Sequence, residues 1–129
     1  MRRLDESGLI QVGRLTAHLK GRPISRVLSS PSVRCIETVE PLAAGRDLTV
    51  EVCHQLAEGA SAVVVVDLLG SLAGQDVALC SHGDVIPEVI RRLISRGMVV
   101  TDETGYSKGS LWTLHTDGSR IVEGTYDAF

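Results

Sequence analysis

The chain has 129 residues and a mass of 13.8 kDa, which is the size of one domain with one core. Hydrophobic residues make up 43% and charged residues 22%, a balance that excludes a disordered chain and a membrane protein. The formal net charge of -3 excludes a general attraction to nucleic acid or anionic lipid, so any anion site must be local. We therefore expect a single domain over residues 1–129 that contacts neither nucleic acid nor membrane.

Neither the apolar stretches nor the cysteines suggest export. The apolar run Ala62–Leu69 is interrupted by Asp67 and is far too short to cross a bilayer. Residues 1–6 have no apolar core behind their basic pair, so they do not form a signal peptide. The cysteines are odd in number and lack metal-ligand spacing: Cys35, Cys53 and Cys80. We expect reduced, buried thiols, a cytoplasmic protein, and no metal or cofactor.

The first half of the chain predicts a helix, a strand and a second helix. Apolar residues recur at helical spacing behind the candidate N-cap Asp5 and end before Gly21 and Pro23: Leu9, Val12, Leu15 and Leu19. Arg26–Ser29 is a short apolar strand. Ser30 is then a candidate N-cap and Pro31 a first helical residue, which predicts a helix over about residues 32–44.

The second half continues the alternation. Leu48–Val52 predicts a short strand, Ala60–Leu72 a helix, and Val77–Ser81 a fully buried strand. His82-Gly83-Asp84 then turns the chain into a helix that ends at Gly97 and has these residues on its apolar side: Val85, Val89, Ile90, Leu93 and Ile94. Gly109–Thr116 and Arg120–Thr125 predict a hairpin around an Asp-Gly turn.

This element order predicts an α/β fold. Alternating strands and helices form a three-layer sandwich with a mostly parallel sheet flanked by helices, and the C-terminal β-hairpin supplies an antiparallel edge. The opening amphipathic helix needs a sheet face to cover, and in such a domain a strand normally precedes it. We therefore expect the first strand of the sheet to be missing from this sequence.

Two strand-to-helix junctions share one design and could face one pocket. Both lie at the carboxyl edge of the predicted sheet, where helix N-termini attract anions such as phosphate. Arg34 in one junction offers a fork of donors, and His82 in the other lies beside Gly83, which allows close backbone approach. The alternatives are that Arg34 pairs with Glu37 or Glu40, and that His82 is a core histidine.

Three motifs in order resemble the histidine phosphatase (phosphoglycerate mutase-like) superfamily. Leu28–Thr38 is similar to the family's "SSPxxRCxQT" segment, Ser81-His82-Gly83 to its second histidine motif, and Leu4–Val12 to its first helix pattern. Val50–Val52 and Leu56–Glu58 resemble the phosphatase domains fused to Nudix hydrolases. That likeness implies a small phosphomonoester, such as a nucleotide, as substrate.

The resemblance also implies roles for individual residues. Arg34 and Gly83 would bind phosphate, and His82 would stabilise the transferred phosphoryl oxygens. Glu58 would protonate the leaving group, although Glu51 is an acceptable rival and a solvated loop carboxylate is an equal alternative.

The family forms a phosphohistidine on an "RHG" or "RHA" histidine at the end of its first strand, and this sequence has no such motif. His18, His54 and His115 are poor substitutes, because each lies away from the proposed pocket or in a structural context. Covalent catalysis by the family route would then be impossible.

Two readings remain open. One is a truncated or inactive phosphatase domain. The other is a non-catalytic domain that binds phosphate or a protein, with a homodimer over the exposed sheet as one possible form. A metal or redox function is disfavoured, because Cys80-Ser81-His82 lacks a partner at coordinating spacing.

Overall fold

A computed structural model describes residues 4–101 and 103–128. The basic pair at Arg2 and Arg3, used above against a signal peptide, lies outside them. Within the described residues the helices are α1 (Glu6–Leu19), α2 (Val33–Ala44), α3 (Ala62–Ser71) and α4 (Ile86–Ser95). The strands are β1 (Arg26–Ser29), β2 (Val50–Val52), β3 (Val77–Cys80), β4 (Val99–Thr101), β5 (Leu111–Asp117) and β6 (Arg120–Asp127). A single 3-10 turn, His54–Leu56, follows β2.

A side-chain oxygen that accepts a hydrogen bond from a backbone N–H caps each of the first two helices. Asp5 caps α1 as predicted, because its Oδ1 accepts from the backbone N–H of Gly8 at 2.7 Å. The predicted N-cap of α2 is wrong by two residues: Ser32, not Ser30, caps the helix by accepting from the N–H of Cys35. Ser30 is instead held beside β3, because its own N–H donates to the carbonyl of Cys80 in that strand. Pro31 therefore lies in the turn before the helix.

The strands form two three-stranded sheets rather than one. The first has the order β2-β1-β3 and is parallel throughout. The second has the order β4-β6-β5, in which β4 is parallel and β5 antiparallel to β6. The hairpin is confirmed. The three-residue strand β4 was not predicted, because only its pairing with β6 distinguishes it from loop.

The helices cover both faces of the first sheet, as the three-layer prediction requires. Successive residues of a strand point to opposite faces, so the adjacent residues Val27 and Leu28 enter different cores. Val27 is 0% exposed and packs with Leu19 of α1 and Val39 of α2. Leu28 is 3% exposed and belongs to the cluster that α3 and α4 complete. The α/β architecture is thus built around β1.

An open cleft separates the two sheets. It has a volume of about 1020 Å³ and is lined by β3, β5 and the inner faces of the helices. The backbone N–H groups of Ser25 and Ser30 donate to the carbonyls of Asp76 and Cys80. The N–H and C=O groups of every second residue along β3 therefore point toward β1. Val77 and Leu79 therefore turn theirs toward the cleft, where no described strand pairs with them.

The cleft corrects two predictions of burial. Strand β3 was expected to be fully buried, but all four of its residues are only half-buried, because the cleft runs along its outer edge. Ile94 was expected on the apolar side of α4 and is 43% exposed, since it lies in the last turn beyond the cluster that holds Leu93. The other predicted apolar residues of that helix are buried or half-buried.

Candidate functional site

Polar groups are concentrated at the carboxyl ends of β1 and β3. The backbone there is tightly connected, because the N–H of Cys53 donates to the carbonyl of Ser29 at 2.7 Å and the N–H of Ser30 to that of Cys80 at 3.0 Å. Ser29 and Ser30 are buried, and the described part of the chain has no buried side-chain polar atom without a partner. These contacts fix the position at which the chain leaves β1 and turns toward α2.

His82 crosses from one junction to the other. Its Nε2 lies 2.7 Å from Oγ of Ser30 and 3.8 Å from Sγ of Cys35. Its backbone carbonyl accepts from the N–H groups of Val85 and Ile86, which begins the turn into α4. The two junctions therefore meet, and His82 is half-buried between them.

Arg34 and Gly83 line the same cleft as His82. Arg34 is the second residue of α2 and is half-buried, and among the described residues it forms no ion pair with Glu37, Glu40 or any other carboxylate. Gly83 is exposed, and no atom lies within 4 Å of the position that a Cβ would occupy there. A ligand could approach the backbone of residue 83 without obstruction.

Glu58 does not line the cleft but lies on a segment attached to the His82 junction. Ser81 Oγ donates to the carbonyl of Leu56 at 2.7 Å, and the N–H of Gly59 donates to Oδ2 of Asp84 at 2.9 Å. Glu58 lies between these two bonds, with an exposed side chain. Its segment is thus fixed beside His82, while its carboxylate extends into solvent.

The rival carboxylate, Glu51, is otherwise engaged. Its two oxygens accept from Nε and Nη2 of Arg26 at 3.0 and 2.8 Å. This hydrogen bonding lowers the pKa of Glu51 and raises the pKa of Arg26. Arg26 begins β1, so the pair lies at the opposite end of that strand from His82.

Two cysteines lie beneath His82. A hydrogen bond from the thiol of Cys80 is the main reason that the pKa of Cys35 falls to about 6; His82, Ser32 and Ser30 lower it further and burial opposes them. The same bond, together with burial, raises the pKa of Cys80 well above its ordinary value. The site thus contains an acidic thiol that the sequence interpretation had assigned only to the core.

Sequence reasoning missed Ser30, Cys35 and Asp84 as parts of this site. The available signal was the equivalence of the two junctions, since Ser30 and His82 each follow the last residues of paired strands. Within the described ranges, no three His, Cys, Asp or Glu side chains are grouped so that they could hold a metal ion. None of the described helices is long and apolar enough to span a membrane.

Comparisons with known proteins bear on the family and the fold of this chain. Residues 2–63 match the family described as histidine phosphatase superfamily (branch 1). An 8-oxo-(d)GTP phosphatase of Mycolicibacterium smegmatis is 32% identical over 130 residues, which cover 97% of this chain. The chain spans 40% of the length of that relative.

Two solved structures share the fold. The protein histidine phosphatase SixA complexed with tungstate superposes with a TM-score of 0.75 at 23% identity, covering 99% of this chain and 83% of that one. A SixA described as a putative phosphohistidine phosphatase, from Agrobacterium tumefaciens, gives a TM-score of 0.63 at 18% identity over 72% of this chain and 62% of that one. Both likenesses bear on the fold alone.

Proposed function

We propose that the chain belongs to the histidine phosphatase superfamily, contains the phosphoryl-binding part of a phosphatase site and binds a small phosphomonoester there. The observation that carries the proposal is the 2.7 Å contact between Ser30 Oγ and His82 Nε2. It joins two strand-to-helix junctions at one sheet edge, beside a cleft that Arg34 and Gly83 also line. Anions bind where such junctions meet.

Each residue contributes a different interaction to this binding. The guanidinium of Arg34 supplies a planar fork of donors that matches two phosphoryl oxygens. His82 supplies an imidazole N–H, and the backbone of Gly83, which has open space at its Cβ position, supplies a further N–H. Glu58 is proposed as the acid for a leaving group, because the bonds around Leu56 and Gly59 keep its segment next to His82.

We further propose that residues 1–129 do not hydrolyse a phosphomonoester by the phosphohistidine route. Phosphoryl transfer requires a nucleophile in line with the leaving group and positive charge around the equatorial oxygens. The sequence contains no Arg-His pair like that of the family's first strand. A nucleotide is the favoured class of ligand, since a relative is named for action on 8-oxo-(d)GTP. Three free thiols favour the cytoplasm as the location.

Two measurements test the proposal: calorimetric titration with inorganic phosphate and hydrolysis of an aryl phosphomonoester with and without vanadate. Arg34→Ala should weaken phosphate binding about ten- to hundredfold, the loss of a charge-assisted hydrogen-bond pair. Arg14→Ala is the matched control, because Arg14 is exposed on α1 and does not line the cleft. Absence of phosphate binding would contradict the proposed site. Vanadate-sensitive turnover that Arg34→Ala removes would support the site but contradict the proposed inactivity.

The open edge of β3 favours a second candidate, a non-catalytic domain that forms a homodimer across the cleft. Unpaired strand edges are sites of association, and Val77 and Leu79 present such an edge. Sedimentation velocity over a concentration series should then show a dimer, and amide exchange at Leu79 should slow as the dimer forms. Ala78, which faces β1, is the internal control. A monomer at all concentrations would exclude this candidate.

A further inference from the structure

Both cysteines of the site lie close to one backbone carbonyl. Sγ of Cys35 is 3.5 Å from the carbonyl oxygen of Ser81, and Sγ of Cys80 is 4.0 Å from the same oxygen. Cys35 is the third residue of α2, and Cys80 is the last residue of β3. Helix α2 packs on β3, so two residues that are distant in sequence bring their sulfurs into the same small region.

We propose that Cys35 and Cys80 are a thiol pair that hydrogen peroxide oxidises to an intramolecular disulfide beneath His82. Both residues line the open cleft, which gives a small oxidant a path to them. Neither sulfur is in a disulfide. The assignment stands apart from the proposed phosphate binding, since it depends only on where the sulfurs lie.

The two sulfurs have different roles in the reaction. The thiol of Cys80, and then the imidazole of His82, favour the thiolate of Cys35 and lower its pKa to about 6. Its sulfur attacks one peroxide oxygen, the O–O bond breaks, and the second oxygen leaves as hydroxide, which takes up a proton to form water. Cys35 is then a sulfenic acid.

Cys80 completes the reaction as the resolving thiol. Its sulfur attacks the sulfenic sulfur, the S–O bond breaks, and the departing hydroxide takes the proton that Cys80 gives up. In total two thiols lose two electrons and two protons, and one hydrogen peroxide becomes two waters. The disulfide joins the start of α2 to the end of β3, which are the two junctions that His82 and Ser30 already connect.

Cys53 is the matched control within the chain. It lies after β2, its Sγ contacts Oε1 of Gln55 at 3.1 Å, and it does not line the cleft. In sequence it is nearer to Cys35 and to Cys80 than they are to each other. Because shorter loops close at lower entropic cost, the unfolded chain should favour disulfides that include Cys53.

The experiment is treatment of the folded chain with hydrogen peroxide, followed by intact mass and peptide mapping. We expect the loss of two hydrogen masses and a cross-linked peptide pair that contains Cys35 and Cys80. Cys53→Ser should behave as the parent, whereas Cys80→Ser should stop at a sulfenic acid that dimedone labels at Cys35. The same treatment in urea should shift the pairing toward Cys53.

Two results would overturn the assignment. One is a folded chain that forms its disulfide through Cys53, or forms none while Cys53 is oxidised first. The other is a Cys35→Ser variant that still loses two hydrogen masses. If the cysteine variants fail to fold, the parent chain alone decides, because its peptide map distinguishes the three pairings.

Discussion

The two sheets differ in how they are buried and in what their edges present. The first sheet has β1 at its centre, with Val27 and Leu28 almost completely buried between two helical layers. The second sheet is more open: Val99 in β4 is 62% exposed, and Val122 in β6 is 36% exposed. The reactive groups all lie at the carboxyl edge of the first sheet. The site thus lies at the edge of the sheet whose central strand is buried on both faces, whereas the second sheet lies across the cleft from it.

A truncation in each sheet tests this difference, and it should give the largest effect. Leu28→Ala should lower the free energy of unfolding by about 2–5 kcal/mol, because it leaves a cavity in a core that cannot collapse around a central strand. Leu114→Ala, the same change in half-buried β5, should cost less than about 2 kcal/mol. Urea denaturation measures both. Equal costs would contradict the idea that the first sheet is the structural centre.

The loop before β5 packs closely against Tyr126 of the second sheet. A Cβ at Gly105 would lie 2.6 Å from the ring of Tyr126, whose hydroxyl contacts Ser107. Gly105→Ala should therefore destabilise the chain by about 1–3 kcal/mol through overpacking. Gly13→Ala is the control: nothing lies within 4 Å of that site in the middle of α1, so it should stabilise by about 0.5–1 kcal/mol. A neutral Gly105→Ala would show that the loop can move away.

The two serines that follow β1 have different roles: Ser32 caps α2, and Ser30 contacts His82. Ser32→Ala should cost about 1 kcal/mol, since it removes the acceptor at the start of α2. Ser30→Ala should leave that cap intact but remove the contact with His82, so the NMR chemical shifts of the His82 ring should change. Unchanged ring shifts would show that Ser30 does not contact the imidazole in solution.

The pair at the far end of the first sheet should give the smallest effect. Arg26 lowers the pKa of Glu51, so its contribution is complete above the ordinary glutamate pKa of about 4.3 and is lost as the pH falls through the lower folded value. Glu51→Gln should thus remove a small acid-side slope from the stability profile and leave neutral stability nearly unchanged, because the pair is exposed. Urea titrations across this range measure it. A large loss at neutral pH would mean that the pair does more than a surface contact.

Much of the fold could be predicted from local signals. The cap at Asp5 and the apolar period behind it gave α1, and the turn at Gly118, with a φ of 63°, gave the hairpin. Strand β4 could not be predicted, because its three residues have no period of their own and exist as a strand only beside β6. The division into two sheets could not be predicted either, because it depends on which strand edges pair in the tertiary structure.

The candidate site was predicted only in part. Arg34, His82 and Gly83 follow from strand-to-helix junctions, which the sequence marks, and the structure places all three on one cleft. Their roles in phosphate binding and that of Glu58 in catalysis remain proposals. Ser30 was expected as a helix cap, because a serine before a proline has that local preference, yet its hydroxyl contacts a ring 52 positions away along the chain.

The sequence by itself determined the order of helices and strands, the resemblance to the histidine phosphatase superfamily and the absence of an Arg-His motif like that of the family's first strand. Periodicity, caps and motifs depend on residues that are near one another along the chain. Only the tertiary structure decided that β3 has an open edge, that Glu51 is held by Arg26, and that Cys35 and Cys80 meet beneath His82. Those contacts join segments that are distant along the sequence. They form because the burial of β1 on both faces brings the ends of β2 and β3 together.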